Sequence, residues 1–94
     1  MGTLSDAEVR DRLSGLEGWA EGEGSSITRE FTFADFSAAI GFVNRVAEAA
    51  EQQGHHPDIL IHGWNKVRLT LSTHSQGGVT VADLQLAARL DPLA

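Results

Sequence analysis

Two short stretches with the pattern of β-strands, joined by three turn-forming residues, constrain the fold of this chain more than any other feature. Ile59 and Ile61 would share one face of the first stretch, and Val67, Leu69 and Leu71 one face of the second, as expected of strands with a period of two. The spacer between them begins at Gly63 and reads Gly-Trp-Asn, a composition typical of tight hairpin turns. The sequence therefore predicts an antiparallel β-hairpin whose strands cover residues 58–62 and 66–73.

The register of this hairpin decides which residues meet at its open end. With the turn centred on Trp64, Asp58 faces Thr70. The same pairing, extended beyond the strands, places residues 54–56 beside residues 72–74, although a slip of one residue would turn each side chain to the other face. Three of the four histidines are therefore predicted to gather at the open end: His55, His56 and His74.

Helix caps mark three further elements. Ser5 with Glu8, and Thr80 with Asp83, have the spacing of a capping box, which predicts one helix near each end of the chain. A third helix is predicted over residues 35–53, because apolar residues recur there at helical spacing. The stripe predicted to face the core of this helix comprises Phe36, Ile40, Val43, Ala47 and Ala50.

Two more strands precede the long helix. A short strand is predicted around Trp19 and Ala20, and a longer one over residues 25–33, where apolar and polar positions alternate with Arg29 as the exception. The element order is thus αββαββα. This order predicts an α+β fold in which a four-stranded antiparallel sheet has its helices packed on one face.

Composition excludes several classes of function. The 94 residues suit a single domain, residues 1–94, and the formal net charge of −6 with scattered basic residues argues against nucleic-acid binding. No apolar run is long enough to cross a membrane, and the absence of cysteine excludes disulfides and thiolate metal sites. We expect a cytoplasmic protein.

The histidine cluster indicates proton-transfer chemistry. Imidazole titrates near neutral pH, and two carboxylates are expected nearby, since Glu51 lies on the last turn of the long helix and Asp83 in the cap of the final helix. Asp83 could instead serve only as a capping acid, and Glu51 could be a solvated helix residue. A zinc site is the other reading, but adjacent histidines rarely bind one metal together. His62, at the turn end, is predicted to be a surface residue.

The run Glu51-x3-His55-His56-Pro57-x6-Trp64-x9-His74-x8-Asp83 closely resembles the signature of the pterin-4a-carbinolamine dehydratases. Similar matches lie outside it, at Gly18-Trp19, at Phe31-x-Phe33-x-Asp35-Phe36 and at Ser72-Thr73-His74. The resemblance implies dehydration of 4a-hydroxytetrahydropterin to quinonoid dihydropterin, which recycles the tetrahydropterin cofactor of aromatic amino acid hydroxylases. It implies no metal and no cofactor, because the pterin is the substrate.

Residue roles follow from the resemblance. It implies catalytic roles for the three histidines, with Glu51 and Asp83 as nearby carboxylates. The wall of the pterin pocket would comprise Pro57, Ser72, Thr73 and Trp19. A sheet with helices on one face leaves an open face and edge strands, which predicts a homodimer, and the resemblance adds a homotetramer. It leaves an alternative in which the fold serves as a non-enzymatic cofactor, either for dimerisation of a transcription factor or for assembly of another protein. A chain restricted to such a role would be expected to lose catalytic histidines, and this one keeps all three.

Overall fold

The structure, a computed structural model that describes residues 2–94, has three α-helices and a four-stranded antiparallel sheet. The helices are α1 (Asp6–Leu13), α2 (Phe36–Gln53) and α3 (Val81–Leu90). The strands are β1 (Ala20–Glu21), β2 (Ile27–Thr32), β3 (Asp58–His62) and β4 (Lys66–Leu71). Short 3₁₀ helices cover His74–Gln76 and Asp91–Leu93. The predicted αββαββα order and α+β class are confirmed.

The sheet has the strand order β1-β2-β4-β3, so the hairpin of β3 and β4 places β3 at an edge. Its register is the predicted one, because Asp58 pairs with Thr70 and His62 with Lys66. In the turn between the strands, Gly63 and Trp64 have φ angles of 56° and 60°. The positive angle is ordinary for glycine but unusual for tryptophan.

The core lies between the sheet and the helices, and it corrects the predicted stripe of α2. The buried residues of α2 are Ala39, Phe42, Val46, Ala49 and Ala50. Of the predicted stripe, only Ala50 is buried, and 54% of Phe36 is exposed. Apolar residues cover more than one stripe of this helix, so periodicity alone could not select the buried one. Phe42 decides it, because its ring packs 4.8 Å from Phe31 and 5.0 Å from Phe33.

Arg29 interrupts the apolar alternation of β2 because it makes an internal ion pair. Its guanidinium lies 3.0 Å from the Asp91 carboxylate and 4.4 Å from the centre of the Phe31 ring. Gly18 has a φ angle of 91°, which favours glycine, and a Cβ there would come within 2.7 Å of the Arg29 side chain. No helix within residues 2–94 is long and apolar enough to cross a membrane.

Candidate active site

The end of α2 delivers the two adjacent histidines to the open end of the hairpin. Gly54 ends the helix in the left-handed conformation, with φ 67° and ψ 28°, which glycine adopts without steric cost. The reversed chain is secured by a hydrogen bond from the His55 backbone N–H to the Ala50 carbonyl, at 3.1 Å. From there His55, His56 and Pro57 lead directly into β3.

Asp83 is the buried centre of the site. Its carboxylate is fully excluded from solvent and receives three hydrogen bonds. Oδ1 lies 2.5 Å from Nε2 of His55, while Oδ2 accepts from the Thr73 hydroxyl at 2.8 Å and from the Thr80 backbone N–H at 2.9 Å. A buried carboxylate is tolerated only when donors replace its lost hydration. Asp83 is therefore a capping acid and also the partner of an imidazole.

His56 makes a separate pair with Glu51, the second predicted carboxylate. Nε2 of His56 lies 2.5 Å from Oε2 of Glu51, but the two side chains are 65% and 76% exposed. Solvent screens an attraction between exposed groups. The same end of the hairpin thus holds one buried and one exposed imidazole–carboxylate pair.

His74 reaches this end from the other strand of the hairpin. It is exposed and begins the 3₁₀ helix that follows β4. Thr73, immediately before it, anchors that turn through a backbone hydrogen bond to Gly78 of 2.9 Å. Because Thr73 also binds Asp83, the network of His55 and Asp83 extends to the residue next to His74.

The predicted pocket residues do not all join this network. Thr73 does, and Pro57 lies half-buried next to His56. Ser72 lies just after β4, where its hydroxyl donates to the Ser25 carbonyl at 2.8 Å. Trp19 is buried in the core, with its indole N–H bonded to Asp91 at 2.8 Å and its ring edge-on to Phe31.

His62 lies at the far end of β3, as predicted, and pairs with Glu30. This hydrogen bond is the main reason that the pKa of Glu30 is lowered. The charges of His62 and Arg68 lower that pKa further, while partial desolvation opposes them. The half-exposed His62 belongs to the sheet surface and not to the cluster at the open end of the hairpin.

One member of the network is missing from the residues predicted from sequence. Thr80 was interpreted only as a helix cap, yet its hydroxyl lies 2.8 Å from that of Thr73. The capping box predicts that Thr80 begins the last helix, but it does not predict the contact of Thr80 with Thr73. Within residues 2–94, no three histidine, aspartate or glutamate side chains are grouped closely enough to hold a metal ion.

Comparison with known proteins decides the family. The sequence model of the family described as pterin 4 alpha carbinolamine dehydratase matches residues 2–93. The chain belongs to the pterin-4-alpha-carbinolamine dehydratase family. The resemblance predicted from the histidine motif is therefore confirmed.

Relatives in this family match the chain over its whole length. A protein of Gloeobacter violaceus, provisionally named pterin-4-alpha-carbinolamine dehydratase 2, is 50% identical over 93 residues, which are 96% of this chain and 100% of that protein. A protein of Koribacter versatilis with a similar provisional name is 47% identical over 91 residues, 97% of this chain and 95% of that protein.

Solved structures of the family share the fold. A transcriptional coactivator/pterin dehydratase from Brucella melitensis superposes with a TM-score of 0.92 at 38% identity, over 99% of both chains. A pterin dehydratase-like protein described as a RuBisCO assembly factor of the alpha-carboxysome superposes with a TM-score of 0.70 at 28% identity, over 83% of this chain and 90% of that one. The family fold is thus found in proteins described by different functions.

Proposed function

We propose that the chain catalyses the dehydration of 4a-hydroxytetrahydropterin to quinonoid dihydropterin and water, as a step in tetrahydropterin recycling. The observation that carries this proposal is the pairing of His55 with the buried Asp83, next in sequence to a second pair of His56 with Glu51. Family membership supplies the substrate class. The lack of cysteine suits the reducing cytoplasm, where we place the reaction.

The reaction breaks the bond between carbon 4a and its hydroxyl oxygen. Hydroxide is a poor leaving group, so an imidazolium that protonates this oxygen allows it to depart as water. A neutral imidazole takes the proton from a ring nitrogen, and the electron pair of that N–H bond forms the new C=N bond. Each such transfer contributes about 10²- to 10⁴-fold to the rate.

The two imidazole–carboxylate pairs suit this division of labour because their surroundings differ. His55 is held by a carboxylate that is fully buried, whereas His56 and Glu51 are both in contact with solvent. A general acid and a general base in one site must be in opposite protonation states, and different environments produce that difference. His74, in the 3₁₀ helix after β4, adds a third imidazole.

A spectroscopic dehydration assay tests the proposal directly. The 4a-hydroxytetrahydropterin is generated in situ by a hydroxylase, and formation of the quinonoid product is followed with and without the protein. We expect a rate well above that of the spontaneous reaction. A rate equal to the spontaneous one, from a correctly folded sample, would refute the proposed activity.

A binding role is the second candidate, and the descriptions of the two structural neighbours favour it. One is called a transcriptional coactivator as well as a dehydratase, and the other a RuBisCO assembly factor. Such a role needs a surface but no histidine network. The dehydration assay separates the candidates, because a protein with a binding role alone would not accelerate the reaction.

We also propose that the chain forms a homodimer or homotetramer. The large apolar residues with the greatest exposure in the described part of the chain are Phe36, Ile59, Leu60 and Trp64. Three of these lie on the edge strand β3 or its turn, and an apolar edge strand is normally covered in a soluble protein. Light scattering at micromolar concentration should report an oligomer, and a monomer alone would contradict the proposal.

A further inference from the structure

A chain of hydrogen bonds leads from a buried threonine to the imidazole of His55. Thr80 is only 1% exposed, and its hydroxyl oxygen lies 2.8 Å from that of Thr73. The Thr73 hydroxyl lies 2.8 Å from Oδ2 of Asp83, and Oδ1 of Asp83 lies 2.5 Å from Nε2 of His55. Thr80 is three contacts away from the imidazole.

The direction of these bonds follows from the number of protons. Each hydroxyl has one proton, and an ionised carboxylate can only accept. The Thr73 proton therefore goes to Asp83, and the Thr80 proton goes to the oxygen of Thr73. In the reverse arrangement, Thr80 would accept from both Thr73 and the Ala82 N–H, 3.3 Å away. Its own buried proton would then have no acceptor, which is costly.

This direction fixes how Asp83 meets the imidazole. Oδ2 is occupied by the Thr73 hydroxyl and by the Thr80 backbone N–H, so Oδ1 remains for His55. With Asp83 ionised, Oδ1 only accepts, and the proton of this hydrogen bond then belongs to Nε2 of His55. Among residues 2–94, no other hydrogen bond reaches this ring, so Nδ1 is the nitrogen that can exchange a proton with a substrate.

We propose that Thr80 is a positioning residue for the dehydration. By donating to Thr73, its hydroxyl directs the Thr73 proton to Oδ2 of Asp83, so that Oδ1 accepts from Nε2 of His55 and Nδ1 is left to react. This inference rests on the proposed function. It holds whether His55 is the acid or the base, because in either role Nδ1 is the nitrogen that gains or loses the proton. Hydrogen bonds in such a chain also polarise one another, so losing one weakens the next.

The test compares Thr80→Val, which removes the hydroxyl at nearly constant shape, with Thr80→Ser, which keeps it. For Thr80→Val we expect kcat to fall by about tenfold with little change in KM, the lower end of what loss of a supporting partner costs. Thr80→Ser should recover most of that rate. Long-range ¹H–¹⁵N NMR of the imidazoles should show one His55 tautomer in the wild type and a mixture in Thr80→Val. A single unchanged tautomer and an unchanged kcat in Thr80→Val would overturn the proposal.

Ser5→Ala is the matched control for the loss of a helix cap. Ser5 forms the same kind of capping box on α1 and is not part of the histidine network. Ser5→Ala should lower the unfolding temperature and leave kcat and the His55 spectrum unchanged. An equal loss of kcat in Ser5→Ala and Thr80→Val would reduce the role of Thr80 to capping and overturn the proposal.

A second variant and a measurement without substrate complete the test. If Thr80→Val does not fold, Thr73→Val removes the middle hydroxyl without touching a cap hydroxyl, and a single His55 tautomer in that variant would overturn the proposal. The NMR measurement needs no substrate. A wild type that shows one His55 tautomer but no dehydratase activity would refute the proposed function and leave the hydrogen-bond arrangement standing. An active wild type with mixed tautomers would refute the positioning role alone.

Discussion

His55 and His56 are neighbours in the chain, yet they occupy opposite environments. Each places Nε2 2.5 Å from a carboxylate, but the first pair is 16% and 0% exposed and the second 65% and 76%. Both residues lie in the short segment between α2 and β3, so one step along the chain separates the interior from the solvent. Equal distances therefore describe unequal interactions. The buried pair is stable only while hydrogen bonds replace its lost hydration, whereas solvent screens the attraction within the exposed pair.

The two pairs should differ most in how much their carboxylates contribute to the stability of the fold. Asp83→Ala should lower the free energy of unfolding by about 3 kcal/mol or more, because it leaves His55, Thr73 and the Thr80 N–H without their acceptor in a buried site. Glu51→Ala, the matched exposed change, should cost less than about 1 kcal/mol. Urea unfolding of both variants measures the difference. Equal losses of stability would show that burial does not distinguish the two pairs.

His55 and His74 should contribute to catalysis, whereas His62 on the sheet should not. His55→Ala and His74→Ala should each lower the dehydration rate by at least roughly tenfold, the lower side of what general acid–base catalysis contributes. His62→Ala is the control, because it removes an imidazole that also pairs with a carboxylate but lies at the turn end of the hairpin, far from the cluster. Full activity in both of the first two variants would refute the assignment of the catalytic cluster.

Local rules were enough to predict most of the fold. The hairpin register, the two capping boxes and Gly54 at the end of α2 depend on residues close together in the sequence, and the structure contains all of them. The buried face of α2 was predicted wrongly, because its choice depends on the rings of Phe31 and Phe33 across the core. Periodicity within one helix carries no information about such partners.

The site was predictable to a similar degree. The histidines and carboxylates could be placed at one end of the hairpin, but their pairing could not, since it follows from burial. Asp83 binds His55 across 28 residues, and Trp19 bonds Asp91 across 72. Such contacts are set by the packed chain as a whole. A side chain with two roles, such as Thr80, is also hard to find from sequence, because its capping motif already explains it.

Neither imidazole pair should need a metal. The proposed step requires only proton transfer, so dialysis against a chelator should leave the rate unchanged. The rate above the spontaneous reaction should also fall in acid, because an imidazole base must be neutral to accept a proton. Activity that chelation abolishes and zinc restores would identify the imidazoles as metal ligands instead.

The smallest effect is expected at His62 and Glu30, a third imidazole–carboxylate pair that lies outside the site. The hydrogen bond from His62 lowers the pKa of Glu30 below its ordinary value of 4.5. A carboxyl whose pKa is lower in the folded state stabilises the fold above its unfolded pKa, and this contribution is lost as the pH falls through the folded pKa. Glu30→Gln should therefore be slightly less stable than the wild type at pH 7, and the difference should shrink as the pH falls below 4.5 and disappear below the folded pKa of Glu30. Urea unfolding at both pH values measures it. A difference that grows in acid would mean that the protonated form of Glu30 stabilises the fold. That result would contradict the lowered pKa of Glu30, and exposure would no longer explain why this pair differs from the buried one.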